Sequence, residues 1–96
     1  MSEAENLRAE ILTLLVQALE GGDYDIEAVR GQVLSGEPFE EVGIDSLDLT
    51  AFVLHLQDFF KIAVRQEDYP TLSDLEAVEA YVRNSTSAKV LHHHQD

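Results

Sequence analysis

Residues 46–60, SLDLTAFVLHLQDFF, constrain the chain more than any other stretch. Leu49, Phe52, Val53, Leu56, Phe59 and Phe60 recur at the 3.6-residue period and fall on one arc of a helical wheel. A helix with so broad an apolar face must bury it against other elements, so the rest of the chain has to supply matching faces. Two stretches do. Leu7, Ile11, Leu14, Leu15 and Ala18 predict a first amphipathic helix, which Ser2 would cap and Gly21 and Gly22 would end, because glycine enters the left-handed C-cap conformation without strain. In TLSDLEAVEAYV, Leu75, Val78, Tyr81 and Val82 form the stripe of a last helix, with Ser73 and Glu76 spaced as a capping box. No segment alternates with period two, and no internal repeat is visible. The fold class expected is all-α: a small four-helix bundle of three long helices and one short one.

The connector between the first two long helices, residues 23–45, is too long to be structureless in so small a domain. Its segment DIEAVRGQVL predicts a short helix, and GEPFEE a turn that sends Phe39 and Val42 into the core. Leu12, Val16 and Leu19 lie on a second apolar arc of the first helix, and Ile26, Val29, Val33 and Leu34 of the connector are the natural cover for it. After residue 60, KIAV leads the chain out and RQEDYP forms one short turn closed by Pro70. The tail NSTSAKVLHHHQD lacks a pattern, which divides the chain into a domain over 1–84 and a flexible tail over 85–96.

Composition narrows the function. The chain has 96 residues, nineteen acidic against six basic, for a formal net charge of -13. Such a surface repels phosphate backbones, which argues against nucleic acid and anionic membranes as partners. It would attract proteins with basic docking patches, although the charge alone is explained as well by the need to keep a small protein in solution. The absence of cysteine removes disulfides, thiolate metal sites and a cysteine nucleophile together. The start, MSEAENLRAE, is acidic where a signal peptide is basic, and ILTLLVQAL is too short to span a bilayer, so a cytoplasmic monomer is expected. His92, His93 and His94 stand together on the tail, where a tag remnant or chance explains them better than a metal site, and His55 has no second ligand at helical spacing. No carboxylate pair stands out as an acid–base dyad, and EGGD lacks both the strand and the lysine of a phosphate loop. No catalytic residue and no metal site is expected. The chain reads as a non-enzyme.

Ser46 is the residue left to explain. Asp45 or Ser46 caps the helix, and Asp48 mimics the acidic member of a capping box; this local reading accounts for both residue types. Three details point further. Gly43 permits a sharp turn that leaves Ser46 exposed at the helix mouth. Leu47 points away from the core arc, beside the serine. Asp45 and Asp48 bring two negative charges to the same helix end, where they would suit a basic partner. Together they describe a serine presented to another protein for modification.

The run FEEVGIDSL at the head of an apolar helix, followed by FFKIAV and TLSDLEAVEAYV, resembles the acyl carrier protein signature. The resemblance extends over about residues 7–82 and is strongest over 39–82. It implies that Ser46 carries 4′-phosphopantetheine, transferred from coenzyme A by a separate magnesium-dependent phosphopantetheinyl transferase, and that the thiol of this cofactor holds an acyl group as a thioester. Acyl-loading and acyl-transfer enzymes would then dock on the solvent-side arc of Leu47, Thr50 and Leu54, rimmed by Asp45, Asp48 and Asp58, which matches the family's recognition helix. Ala51, His55 and Gln57 differ from the acid-rich helix of general fatty-acid carriers and point to a specialised lipid or polyketide pathway. A peptidyl or aminoacyl carrier, which shares fold and cofactor, and an unmodified acidic helical adaptor are the alternatives. The GIDSL sequence favours the acyl type.

Overall fold

A computed structural model describes the backbone of residues 3–95 and the side chains of residues 6–86. Within it the chain forms helices α1 (Glu3–Leu19), α2 (Ile26–Leu34), α3 (Phe39–Val42), α4 (Ser46–Phe60) and α5 (Leu75–Gln95), with a 3₁₀ helix, Gln66–Thr71, between the last two. No strand occurs among the described residues. The all-α expectation and the three long helices hold. The connector holds the short helix expected in DIEAVRGQVL, as α2, and the turn expected at GEPFEE leads into the single helical turn α3.

The core is assembled by the predicted stripes. Ile11, Leu14 and Leu15 of α1, Phe52, Val53 and Leu56 of α4, and Leu75, Val78 and Val82 of α5 are all buried. α1 makes its most extensive contacts with α4 and its next with α5, so α1 is the shared wall of the core, with α4 and α5 packed against it as the other two. Phe39 carries α3 into this core and meets Phe52 edge-to-face, with ring centroids 5.9 Å apart, a favoured aromatic geometry. The second arc of α1 is also covered: Leu12 and Leu19 are buried, as are Val29 and Val33 of α2. Val16 is only half-buried, and Leu34 is exposed. Those two lie at the margin of the α1–α2 contact, which seals the ends of the arc better than its middle.

Four local expectations need correction. Phe59 was placed on the core arc but is 52 % exposed; it lies at the edge of a face that Leu56 and Phe60 already fill, and it packs edge-to-face on Phe60 at 4.9 Å instead. The α5 cap comes from Asp74, whose carboxylate accepts the Ala77 N–H at 2.8 Å. Ser73 instead gives its carbonyl to the Phe39 N–H at 2.8 Å, satisfying a first-turn donor of α3 that has no partner within its own helix. In place of a single turn at RQEDYP, Arg65 precedes a six-residue 3₁₀ helix, Gln66–Thr71, with Pro70 inside it. Finally, α5 continues to Gln95, whereas residues 85–96 were expected to form a patternless tail; only two glycine- and proline-free polar turns separate the stripe from Lys89, Val90 and Leu91, so nothing in the sequence breaks the helix. The Ser2 cap and the side chains of His92, His93 and His94 lie outside the described residues.

One buried charge ties the walls together. Glu79 of α5 is 5 % exposed, and Arg8 of α1 reaches it with Nη2 at 2.7 Å and Nε at 2.9 Å from Oε1. The guanidinium's own acidity is lowered further by this contact, through the hydrogen bond first and the charge of Glu79 second.

Candidate functional site

The mouth of α4 is built by residues that fix its approach. α3 ends at Gly43, whose φ of 94° is left-handed, a conformation that glycine adopts without penalty. Its N–H and that of Ile44 both bond to the Phe39 carbonyl, at 3.2 and 3.1 Å. Phe39 and Ile44 are buried on either side of this turn, so the chain reaches residue 45 along a fixed path. Of the two candidates for the cap, Asp45 takes the role: its carboxylate accepts the Leu47 N–H at 3.0 Å.

Ser46 then opens the helix with its side chain in solvent. Its carbonyl and the backbone just before it are held in place. Asp45 accepts from the Leu49 N–H at 2.9 Å, and the Ser46 carbonyl accepts the Thr50 hydroxyl at 3.0 Å. The Ser46 hydroxyl itself makes no hydrogen bond to any described residue. A fixed backbone with a free hydroxyl at the positive end of a 15-residue helix is a suitable seat for a phosphodiester.

Asp48 does not act as the acidic member of a capping box. Its Oδ2 accepts the Tyr24 hydroxyl at 2.7 Å, and the same hydroxyl accepts the Asp45 N–H at 3.0 Å. Tyr24, from the α1–α2 connector, therefore does the work expected of a residue on α4. The Asp45 N–H pulls the phenol's pKa down, but the hydrogen bond to Asp48, burial and the charges of Asp48 and Asp45 together outweigh it and leave the pKa above its ordinary value. No sequence pattern marked Tyr24; only the packing of the connector beside α4 brings it to the helix mouth.

The remaining residues of the expected docking face form a stripe along α4 rather than a cluster. Leu47 is 77 % and Leu54 54 % exposed; Asp45, Thr50 and Asp58 are exposed and Asp48 is half-buried. At 1.5 Å rise per residue, Asp58 stands about 18 Å along the helix from Ser46. Beside the serine, and sharing Thr50 with that stripe, a cleft of about 250 Å³ opens between α4 and the 3₁₀ helix, lined by Ser46, Leu49, Thr50, Phe52, Val53, Tyr69, Pro70 and Leu72. Larger grooves of about 350 and 380 Å³ border α1, but neither includes Ser46. Tyr69, Pro70 and Leu72 were not foreseen as part of the site, because the turn that carries them comes beside Ser46 only through the fold. Among the described residues no group of three potential metal ligands occurs, and no helix is long and apolar enough to cross a membrane.

A protein-family model described as the phosphopantetheine attachment site matches residues 26–82. That span covers α2 to the buried part of α5, including the helix mouth just described. The chain belongs to this family. As a phosphopantetheine carrier it bears 4′-phosphopantetheine covalently, and such carriers are served by partner enzymes, among them a phosphopantetheinyl transferase. No curated protein matches the chain significantly.

Proposed function

We propose that this protein is an acyl carrier that bears its cofactor on Ser46 and has no catalytic machinery of its own. The observation that carries the proposal is the position of Ser46: an exposed, unbonded hydroxyl on a pinned backbone, at the rim of a cleft whose walls are mainly apolar. When bound, the cofactor supplies a thiol that holds the cargo as a thioester. The chain's residues supply the rest. The backbone ties around Ser46 fix where the linkage begins. Leu49, Phe52, Val53, Pro70 and Leu72 offer an apolar lining that can shield a cargo from water. At about 250 Å³ the cleft is smaller than the ~300–1,000 Å³ of sites for drug-sized ligands, which suits a slim aliphatic chain. An amino acid with a charged amine would gain little there. This supports the acyl over the aminoacyl reading.

The docking face is proposed to be the stripe of Leu47, Thr50 and Leu54 with Asp45, Asp48 and Asp58 along its rim. It offers an apolar centre and a charged margin to enzymes with basic patches, an arrangement suited to brief encounters steered by charge. We place the carrier domain at residues 1–84, with 85–96 an appendage to it, and the setting in a cytoplasmic fatty-acid, lipid or polyketide pathway.

The test is loading. Intact protein is incubated with a promiscuous transferase and either acyl- or aminoacyl-coenzyme A, and amide shifts are recorded for each product. An acyl chain of six to eight carbons should perturb Leu49, Val53 and Leu72 and raise the melting temperature, whereas an aminoacyl group should leave those amides unmoved. Equal shifts from both cargoes would remove the basis for preferring the acyl carrier. Absence of any loading would leave the adaptor.

A further inference from the structure

Ser46 is flanked by two aspartates, and one side chain from outside α4 engages both. The Tyr24 hydroxyl accepts the Asp45 N–H at 3.0 Å and donates to Asp48 Oδ2 at 2.7 Å. The other ties around Ser46, from Leu47 N–H, Leu49 N–H and the Thr50 hydroxyl, all arise within the first turns of α4 itself. They hold the helix together but not to the rest of the molecule. Tyr24 does the latter, since its connector leads directly from α1, a wall of the core. Its ring is set in turn by Gly22: a Cβ added there would stand 2.9 Å from Tyr24 Cε2 and 3.0 Å from Cδ2, so the space beside the ring is open only because residue 22 has no side chain.

We propose that Tyr24 is a positioning residue for the attachment of phosphopantetheine: it locks the first turn of α4 to the body of the protein so that the Ser46 hydroxyl meets the transferase in one orientation. The proposal rests on Ser46 being the attachment residue. In the transfer, Ser46 Oγ–H gives its proton to a base of the transferase, a bond forms between Oγ and phosphorus, and the pyrophosphate P–O bond of coenzyme A breaks with release of adenosine 3′,5′-bisphosphate. An attacking oxygen has to arrive in line with the breaking bond, and small displacements of a reacting group lower rates steeply. Tyr24 touches none of the reacting atoms. It acts through the backbone on one side of Ser46 and the carboxylate on the other.

This separates two roles that the sequence assigns together. The charge of Asp48 serves encounter with a basic partner, while its bond to Tyr24 serves presentation. Asp48→Asn keeps an acceptor for the Tyr24 hydroxyl and loses only the charge. Tyr24→Phe keeps the ring beside Gly22 and loses only the hydroxyl.

The experiment measures phosphopantetheine transfer from coenzyme A to the full chain by intact mass, with kcat and KM for the carrier as substrate, beside thermal melts and amide hydrogen exchange of the unmodified protein. Tyr24→Phe should lower kcat about fivefold, the factor set by one net hydrogen bond, with KM within about twofold of wild type, and should speed exchange at the Asp45 amide. Asp48→Asn should raise KM and leave kcat near wild type. Tyr81→Phe removes a comparable hydroxyl–carboxylate bond, to Asp68 at 2.9 Å, away from the helix mouth; it should lower the melting temperature without lowering kcat. Gly22→Ala, which displaces the ring, should resemble Tyr24→Phe in kcat, and provides the test if the phenylalanine variant folds poorly. An unchanged kcat in Tyr24→Phe, a kcat loss that Tyr81→Phe reproduces, or an Asp45 amide that exchanges no faster would overturn the proposal while the carrier reading stands. If wild type accepts no phosphopantetheine at Ser46, that reading falls and the proposal with it.

Discussion

At the scale of single residues, the helix mouth shows how one position serves packing, capping and chemistry by dividing them among neighbours. Asp45 caps, Leu47 and Ser46 remain in solvent, and Asp48 is turned toward Tyr24. The sequence made most of this legible: glycine at 43, an Asx cap, and a leucine displayed beside a serine are all local signals. The role of Asp48 was not legible, because the partner that claims its carboxylate lies 24 residues away along the chain. The same bond decides which variants report cleanly on docking. Leu54, 54 % exposed, should tolerate Leu54→Ala with a change in stability of no more than about 0.5 kcal/mol, while transfer to a partner enzyme weakens through faster dissociation. Reversing the charge at Asp58, which no described residue engages, should slow association, with the defect shrinking as salt screens the steering. Stopped-flow transfer kinetics beside thermal melts check both. A Leu54→Ala protein melting far below wild type would put that residue in the core.

Between elements, stability rests on a few ties whose loss is asymmetric. Glu79 is buried against α1 and Arg8 is its partner. Arg8→Ala leaves the carboxylate buried and unpaired, and should cost about 1–3 kcal/mol. Glu79→Gln keeps an acceptor for the guanidinium and should cost less; denaturant midpoints for the two variants give the comparison, and equal losses would show that the pair's charge matters more than its burial. Leu19 is 1 % exposed, so Leu19→Asp forces a charge into the core and should destabilise by several kcal/mol. Val16→Asp should do much less, since Val16 borders the groove with Glu20 and Arg30. A further tie joins the 3₁₀ helix to α5, where the Tyr81 hydroxyl donates to Asp68. Burial first, and that hydrogen bond second, push the Tyr81 pKa up. A raised phenol pKa favours the folded state while the phenol is protonated: the contribution is complete below the ordinary value of about 10 and is lost as pH climbs through the folded value. The stability gap between wild type and Tyr81→Phe, read from urea midpoints, should therefore be constant to about pH 10 and close above it. A gap that does not close above about pH 10 would mean that the folded state does not favour the protonated phenol. Helical periodicity made α1, α4 and the first turns of α5 readable, because each has a broad apolar stripe. The short elements were harder. Ser73 looked like a cap because it stands three residues before Glu76, yet its carbonyl is drawn to α3 and Asp74 caps instead; a contact between distant segments overrode a local motif.

For the whole molecule, charge and topology work against each other. A net charge of -13 on 96 residues is self-repelling, and magnesium or added salt should raise the melting temperature by screening it. A melt insensitive to both would show that the acids are spread too widely to strain the fold. The bundle accepts that repulsion, and along α4 the acids rim a face that the core does not use. What the chain's composition could not reveal is the cleft beside Ser46, since it needs α4 and the 3₁₀ helix brought together around Phe52 and Leu72. The claim on which all of this depends is that Ser46 carries the cofactor, and peptide mapping tests it most directly. Wild type and Ser46→Ala are incubated with coenzyme A, magnesium and a promiscuous transferase, then digested and sequenced by mass spectrometry. Wild type should gain one phosphopantetheine, on the peptide containing Ser46, and Ser46→Ala should gain none while keeping its helical circular dichroism. A cofactor found on another residue, or on the Ser46→Ala protein, would contradict the assignment.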